Sequence, residues 1–173
     1  MIDYARFASP LGTILAAAVD GALIRLDFED AKYAPRVASG WRHAPRAKPF
    51  AECERQLAEY FAGKRQRFDL PLAAAGTEFQ KRVWAGIARI PYGRTLTYGE
   101  LAARALAPGS ARAAGAATGR NPIAIVVPCH RVVGSDGSLT GYAGGLARKT
   151  RLLEIEGVLL FDSAPEGTPE ATA

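Results

Sequence analysis

Apolar and polar residues alternate loosely from Ile2 to Phe28, broken by Ser9-Pro10-Leu11-Gly12 and by Asp20-Gly21. A period of two with turn residues between the runs predicts three short strands joined by hairpins. Residues 30–48 are rich in Pro, Arg and Ala, show no period and read as a loop. At Phe50 the period changes. Phe50, Cys53, Leu57, Tyr60 and Phe61 recur at helical spacing and Gly63 follows as a stop. Residues 66–72 are a candidate for one more strand, and Ala73-Ala74-Ala75-Gly76 for the connection between two lobes.

Beyond Gly76 the pattern is mainly helical. Thr77 and Gln80 form a capping-box pair ahead of the stripe Phe79, Val83, Trp84 and Ile87. Pro91-Tyr92-Gly93 reads as a turn. Thr97 and Glu100 form a second capping box, opening a short helix through about Ala105. Pro108-Gly109 breaks it, and Ser110 is expected to cap a third helix, roughly Ala111 to Thr118, with Gly119 as its stop. Two short helices joined by a tight turn predict a helix-turn-helix. Ile123 to Val127 predicts a short buried strand or extended segment ending at Pro128. Asp136-Gly137 marks a turn in a loop reaching Gly145, and Leu146 to Glu156 predicts a last helix closed by Gly157.

The fold expected is α/β in the α+β sense. A small three-stranded antiparallel sheet with one helix, residues 1–76, precedes a mainly helical lobe, 77–160, carrying the helix-turn-helix and the Pro-Cys-His-Arg segment. Residues 161–173 read as a frayed tail.

Composition narrows the function. With 173 residues and 49% hydrophobic content the chain can bury a core, and its apolar runs are too short to span a bilayer. The residues after Met1 read as strand rather than leader, so a cytoplasmic location is expected. Two cysteines and two histidines make neither a disulfide framework nor a familiar zinc pattern, and no metal site is expected. Charge is uneven. Residues 1–79 hold 11 Lys/Arg and 10 Asp/Glu, 80–151 hold 11 Lys/Arg and two acids, and 152–173 hold five acids and no Lys/Arg. The middle block, at +9, suits a polyanion such as DNA as well as it suits a solvated basic surface.

The candidate chemistry lies in the same block. Cys129 stands between Pro128 and His130, with Arg131 next. Pro128 biases Val127 to an extended conformation, which would hold the thiol on a stiff element. A nearby cation and imidazole would lower the thiol pKa. On adjacency alone, a buried structural cysteine is the readier reading. Neighbouring side chains of an extended segment point to opposite faces, so His130 would reach Cys129 through water or a local bend. Glu156 is the best acid to orient it. Cys53, on the apolar face of the first helix, reads as core. The third helix, Ala111-Arg112-Ala113-Ala114-Gly115-Ala116-Ala117, is nearly bare. It fits close packing, or a shallow groove probed by Arg112 alone. The glycines of Ser138–Gly145 match no phosphate loop but would let a planar ligand approach the backbone.

Taken together these segments resemble a family. The run Asn121-Pro-Ile-Ala-Ile-Val-Val-Pro-Cys-His-Arg-Val-Val133 resembles the active-site signature of the O6-alkylguanine-DNA alkyltransferases. The likeness extends over about residues 77–157, including Phe79-Gln80, Ile90-Pro91-Tyr92-Gly93, Thr97–Ala102, Gly141–Gly145 and Glu154–Gly157. It implies direct-reversal DNA repair, in which Cys129 takes the alkyl group from O6-alkylguanine in double-stranded DNA once and keeps it. O4-alkylthymine is left open as a second substrate. The resemblance makes His130 a water-bridged base oriented by Glu156, Tyr98 the donor to guanine N3, and Asn121 a hinge. It makes Arg112 the finger that fills the stack behind a flipped nucleotide. DNA contacts are expected at Arg112, Ala113, Ala114, Gly115, Thr97 and Arg131. Contacts to the alkylguanine are expected at Tyr98, Cys129, Val132, Tyr142, Ala143 and Gly144. No metal or organic cofactor and no membrane is implied. A monomer is expected, with cooperative binding along DNA left open.

Rival readings fit less well. Alkyltransferase-like binding proteins carry Trp where Cys129 stands. A cysteine hydrolase would have no use for the helix-turn-helix and the basic block. A sequence-specific regulator would need long polar side chains on its recognition helix.

Overall fold

The structure, a computed structural model, describes residues 1–105 and 110–158. The three hairpin strands form as the alternation predicts: β1 (Asp3–Phe7), β2 (Ile14–Val19) and β3 (Ala22–Phe28), each antiparallel to the next. Asp20 and Gly21 both have positive φ, 50° and 82°, the combination that a tight two-residue hairpin needs. The first correction falls in residues 30–48. A two-residue strand, β4 (Arg42–His43), pairs parallel to β1, and the sheet order becomes β3-β2-β1-β4. The Arg42–Asp3 ion pair at 2.7 Å fixes the register, which no hydrophobic period could have revealed.

Helix α1 (Phe50–Phe61) buries Phe50, Cys53, Leu57 and Tyr60 in the core shared with the sheet. Residues 66–72 form no strand. Gln56 of α1 holds the backbone of Asp69 from both sides, donating to its carbonyl at 3.0 Å and accepting from its N–H at 2.8 Å. Only Leu23 and Leu72 make an isolated bridge there, beside Pro71, which lacks the N–H to continue it.

The second lobe packs α2 (Glu78–Ala88), α3 (Tyr98–Arg104) and α4 (Ala111–Gly119) together, with α5 (Leu146–Ile155) behind the Cys129 segment. Both capping boxes form in full, Thr77 with Gln80 and Thr97 with Glu100. Ser110, by contrast, makes no side-chain cap, and α4 is held from its other end by Trp84 Nε1 donating to Ala117 O at 2.9 Å. The turn expected at Pro108-Gly109, the last residues of the 77–160 lobe and the 161–173 tail lie outside the described residues. Among the described residues no helix is long and apolar enough to cross a membrane. A two-residue parallel pair, β5 (Leu96–Thr97) with β6 (Val132–Val133), ties the start of α3 to the Cys129 segment.

Ile123 to Val127 is not a strand. Pro122 O accepts from Leu26 and Ala124 donates back to Leu26, a single bridge to β3, after which the chain turns. Ile125 carries φ +70°, a strained position for a β-branched residue. The buried apolar cluster runs without interruption from Ala5 and Phe28 through Tyr60 and Ile123 to Leu152, so both lobes share one core.

Candidate active site

The turn after Val127 delivers Cys129 onto one turn of 3-10 helix, Cys129–Arg131, rather than onto the extended segment expected. Three residues per turn aim successive side chains about 120° apart. Cys129 faces a cavity, while His130 and Arg131 point elsewhere into the protein and are themselves buried. Asn121 fixes the turn. Its Nδ2 donates to Val127 O at 2.8 Å, its Oδ1 accepts from Ile123 N at 3.0 Å, and its side chain also reaches the thiol.

Behind Cys129 lies a four-membered buried node on Glu156. This residue caps α5, where periodicity alone would have placed it at the surface. Arg131 donates from Nε at 2.8 Å and from its second nitrogen at 3.0 Å, Tyr60 OH donates at 2.7 Å, and His130 Nε2 lies 2.7 Å from Oε2. Burial raises the Glu156 pKa, but His130, Arg131 and Tyr60 together outweigh it and bring it to about 2. Burial holds the His130 pKa below its ordinary 6.5, against the pull of Glu156. At neutral pH, then, a neutral imidazole faces an ionised carboxylate. Nε2 is assigned the proton because it faces that acceptor, which leaves Nδ1 as a lone-pair base. Nδ1 is buried and has no protein partner among the described residues.

The thiol itself departs from expectation. Burial pushes the Cys129 pKa above its ordinary value, and Asn121 and Lys149 only offset this in part. The cation near it is Lys149, not Arg131. Lys149 is fully buried and its Nζ donates to Val132 O at 2.6 Å and Gly141 O at 2.8 Å. Burial brings its pKa down to about 8. Cys53 is plain core, with burial pushing its thiol up to about 12.

The cavity beside Cys129 has a volume of about 810 Å³, the scale of a site for a small organic ligand. Tyr98, Tyr142 and Ala143, expected at the alkylguanine, line it, and so does Gly115, expected at DNA. Burial raises the pKa of the Tyr98 phenol, partly offset by the Thr140 side chain. Tyr142 OH is buried without a partner among the described residues, so it can hydrogen-bond an occupant. Gly144 lines a smaller recess of about 20 Å³ that also reaches Cys129 and Asn121.

Several expected contacts are corrected. Arg131 cannot serve DNA, because its guanidinium is buried and spent on Glu156 and on Ile90 O at 2.6 Å. Ala114 is buried against the neighbouring helices, leaving Ala111, Arg112, Ala113 and Ala116 as the exposed residues of α4. Val132 is wholly buried, does not line the cavity, and contributes only its carbonyl to Lys149. Thr97, also expected at DNA, is not contradicted: it is half-buried, with its hydroxyl accepting from Glu100 N in the cap of α3. Sequence reasoning missed Lys32 and Tyr33, which line the cavity from the irregular 30–48 segment, and Tyr60 and Lys149, which looked like ordinary helix positions. A lysine on an apolar helix stripe was the one available signal for the last.

A sheet-plus-helix lobe joined through one core to a mainly helical lobe, with a cysteine at a ligand-sized cavity lined from both, is the architecture expected of a DNA alkyltransferase. The profile described as 6-O-methylguanine DNA methyltransferase, DNA binding domain, matches residues 78–158, and that described as its ribonuclease-like domain matches 2–74. The chain belongs to the O6-alkylguanine-DNA alkyltransferase family, whose activity is DNA repair by alkyl transfer to a protein cysteine. It is 51% identical to the methylated-DNA–protein-cysteine methyltransferase of Mycolicibacterium paratuberculosis, over 90% of this chain and 93% of the relative. It is 49% identical to that of Methanosarcina acetivorans, over 89% and 97%. The crystal structure of the Mycobacterium tuberculosis O6-methylguanine methyltransferase superposes with a TM-score of 0.83 at 42% identity, covering 99% of both chains. That of the Mycobacterium tuberculosis OGT in complex with DNA gives 0.83 at 45% identity, covering 89% and 92%.

Proposed function

We propose that this protein binds double-stranded DNA, turns an O6-alkylated guanine out of the stack into the cavity, and moves the alkyl group to Cys129 in a single turnover. The observation that carries this reading is the Cys129 thiol at the wall of the 810 Å³ cavity, backed by the His130–Glu156–Arg131–Tyr60 node. Family membership and the DNA complex of a relative support DNA as the partner.

The geometry fits a direct displacement. The thiol proton passes through one water to His130 Nδ1, and Glu156 stabilises the imidazolium that forms. The buried thiol is a poor acid at rest, so charge develops mainly as the proton leaves. Sγ then attacks the alkyl carbon, an S–C bond forms, the C–O6 bond breaks, and its electron pair goes to guanine. Tyr98 donates to guanine N3 as that charge builds, and Tyr142 OH and the Ala143 N–H are further donors in the same cavity. A thioether resists water, so each molecule would repair one lesion. The exposed small-residue face of α4 suits close approach to a shallow minor groove, with Arg112 as the finger that replaces the flipped base. O4-alkylthymine presents a similar carbonyl-derived ether and would be a second substrate. The protein acts as a monomer in this scheme.

The test is stoichiometry. With duplex DNA carrying labelled O6-methylguanine, label should transfer in a burst that stops at one methyl per protein, and Cys129→Ser should abolish it. Repeated turnover, or transfer unaffected by Cys129→Ser, would refute the proposal.

A further inference from the structure

The irregular segment after β3 forms a strap that brings Lys32 and Tyr33 to the cavity, and it is fastened at several points. Lys32 N–H donates to Ala143 O at 2.9 Å, joining the strap to the glycine-rich loop. Arg25 donates to Tyr33 O at 3.0 Å. Asp30 pairs with Arg148 at 2.6 Å, and Arg148 also donates to Leu11 O at 2.8 Å. Arg120, the residue that closes α4, lays its guanidinium 3.8 Å from the centroid of the Tyr33 ring, and Lys32 Nζ lies 5.3 Å from the same centroid. Stacking at this distance is a cation–π contact, worth about 0.5–1 kcal/mol at exposed sites. It joins the sheet lobe to the end of the DNA-facing helix.

The strap runs beside the nucleophile. Lys32 and Tyr33 line the main cavity with Cys129, and Ala31 lines the small recess that also touches Cys129. In a displacement at carbon, sulfur, carbon and O6 stand in line. Whatever the alkyl group carries beyond its first carbon therefore projects sideways, toward the cavity walls. One of those walls is the glycine-rich loop, whose Tyr142 and Ala143 face the base. Another is the strap, facing the residues of α2 and α4 that complete the cavity. Tyr33 is its largest cavity-lining side chain, and Arg120 covers one of its ring faces.

We infer that Tyr33, clamped by Arg120, is a specificity-determining residue that limits the size of the O6 substituent the cavity admits. This rests on the proposed alkyl transfer and adds a role for the sheet lobe. The test compares second-order rates of transfer to Cys129 from two duplexes, one with O6-methylguanine and one with O6-benzylguanine. The readout is the benzyl-to-methyl rate ratio, which cancels any common loss from folding or DNA affinity. A single apolar wall contact is worth roughly 10-fold or more in such discrimination. Tyr33→Ala should raise the ratio about 10-fold, within that range. Arg120→Ala should raise it less, because the ring remains but is released, and Tyr33→Phe should leave it unchanged. An unchanged or lower ratio in Tyr33→Ala overturns the inference, as does a Tyr33→Phe ratio matching that of Tyr33→Ala. Absence of methyl transfer by the wild-type protein would instead refute the proposed function itself.

Discussion

At the scale of residues, the site turns on the node around Glu156. One carboxylate accepts from a guanidinium, a phenol and an imidazole, all buried, and so sets which nitrogen of His130 is free to take a proton. Removing one partner of a buried ion pair typically costs about 3–5 kcal/mol. Glu156→Gln should destabilise the fold on that scale in a denaturant titration and slow alkyl transfer as well. Retained stability would mean that Arg131 finds another partner. The pH dependence follows from the directions of the shifts. His130 in the native protein titrates below 6.5, so the unfolded chain takes up that proton first and stability falls as pH drops through 6.5. Glu156 titrates near 2 against an ordinary 4.5, so its contribution is intact above 4.5 and is lost as pH falls from there toward 2. The unfolding midpoint should therefore decline already between pH 6.5 and 4.5. A level midpoint across that window would argue that His130 is not held neutral.

At the scale of elements, the sequence was legible wherever period and punctuation carry the information. The three hairpin strands, α1, the two capping boxes and α5 follow from alternation, helical spacing and Thr-x-x-Gln/Glu pairs. It was not legible where one residue from a distant element overrides local preference. Gln56 occupies the backbone of 66–72, Leu26 and Asn121 convert an aliphatic run at 123–127 into a turn, and an Arg–Asp pair adds β4. The site divides the same way. Cys129, His130, Tyr98 and Tyr142 sit in recognisable motifs, whereas Tyr33, Tyr60 and Lys149 join the site only through tertiary contacts. Helix α4 offers a prediction of its own. A Cβ at Gly115 would meet Tyr98 Cδ1 at 3.6 Å, an ordinary contact, while Ala gains about 0.5–1 kcal/mol over Gly within a helix. Gly115→Ala should raise the melting temperature by roughly 1–4 °C and yet slow methyl transfer, because the added methyl sits at the cavity face of Tyr98. Unchanged transfer would remove that face of Tyr98 from the reaction.

At the scale of the whole molecule, the two lobes act as one structure. The sheet lobe supplies Tyr60 to the node behind the thiol and the strap in front of it, and Arg148 pins the strap to α5. The helical lobe supplies Cys129 and α4, the proposed nucleophile and the proposed DNA-facing helix. Residues of the basic block serve different ends once folded. Arg131 and Lys149 are interior fasteners, whereas Arg112 and Arg120 remain on the exposed side of α4, where a polyanion would meet them. Both cysteines are buried, but only Cys129 opens on the cavity, and Cys53 is sealed in the core with its thiol pushed up to about 12. The most direct measurement is therefore to locate the methyl group. After reaction with O6-methylguanine in duplex DNA, peptide mass mapping should find one added methyl on the peptide containing Cys129, none on that containing Cys53, and guanine restored in the DNA strand. A methyl on any other residue, or repaired DNA with Cys129 unmodified, would contradict the account.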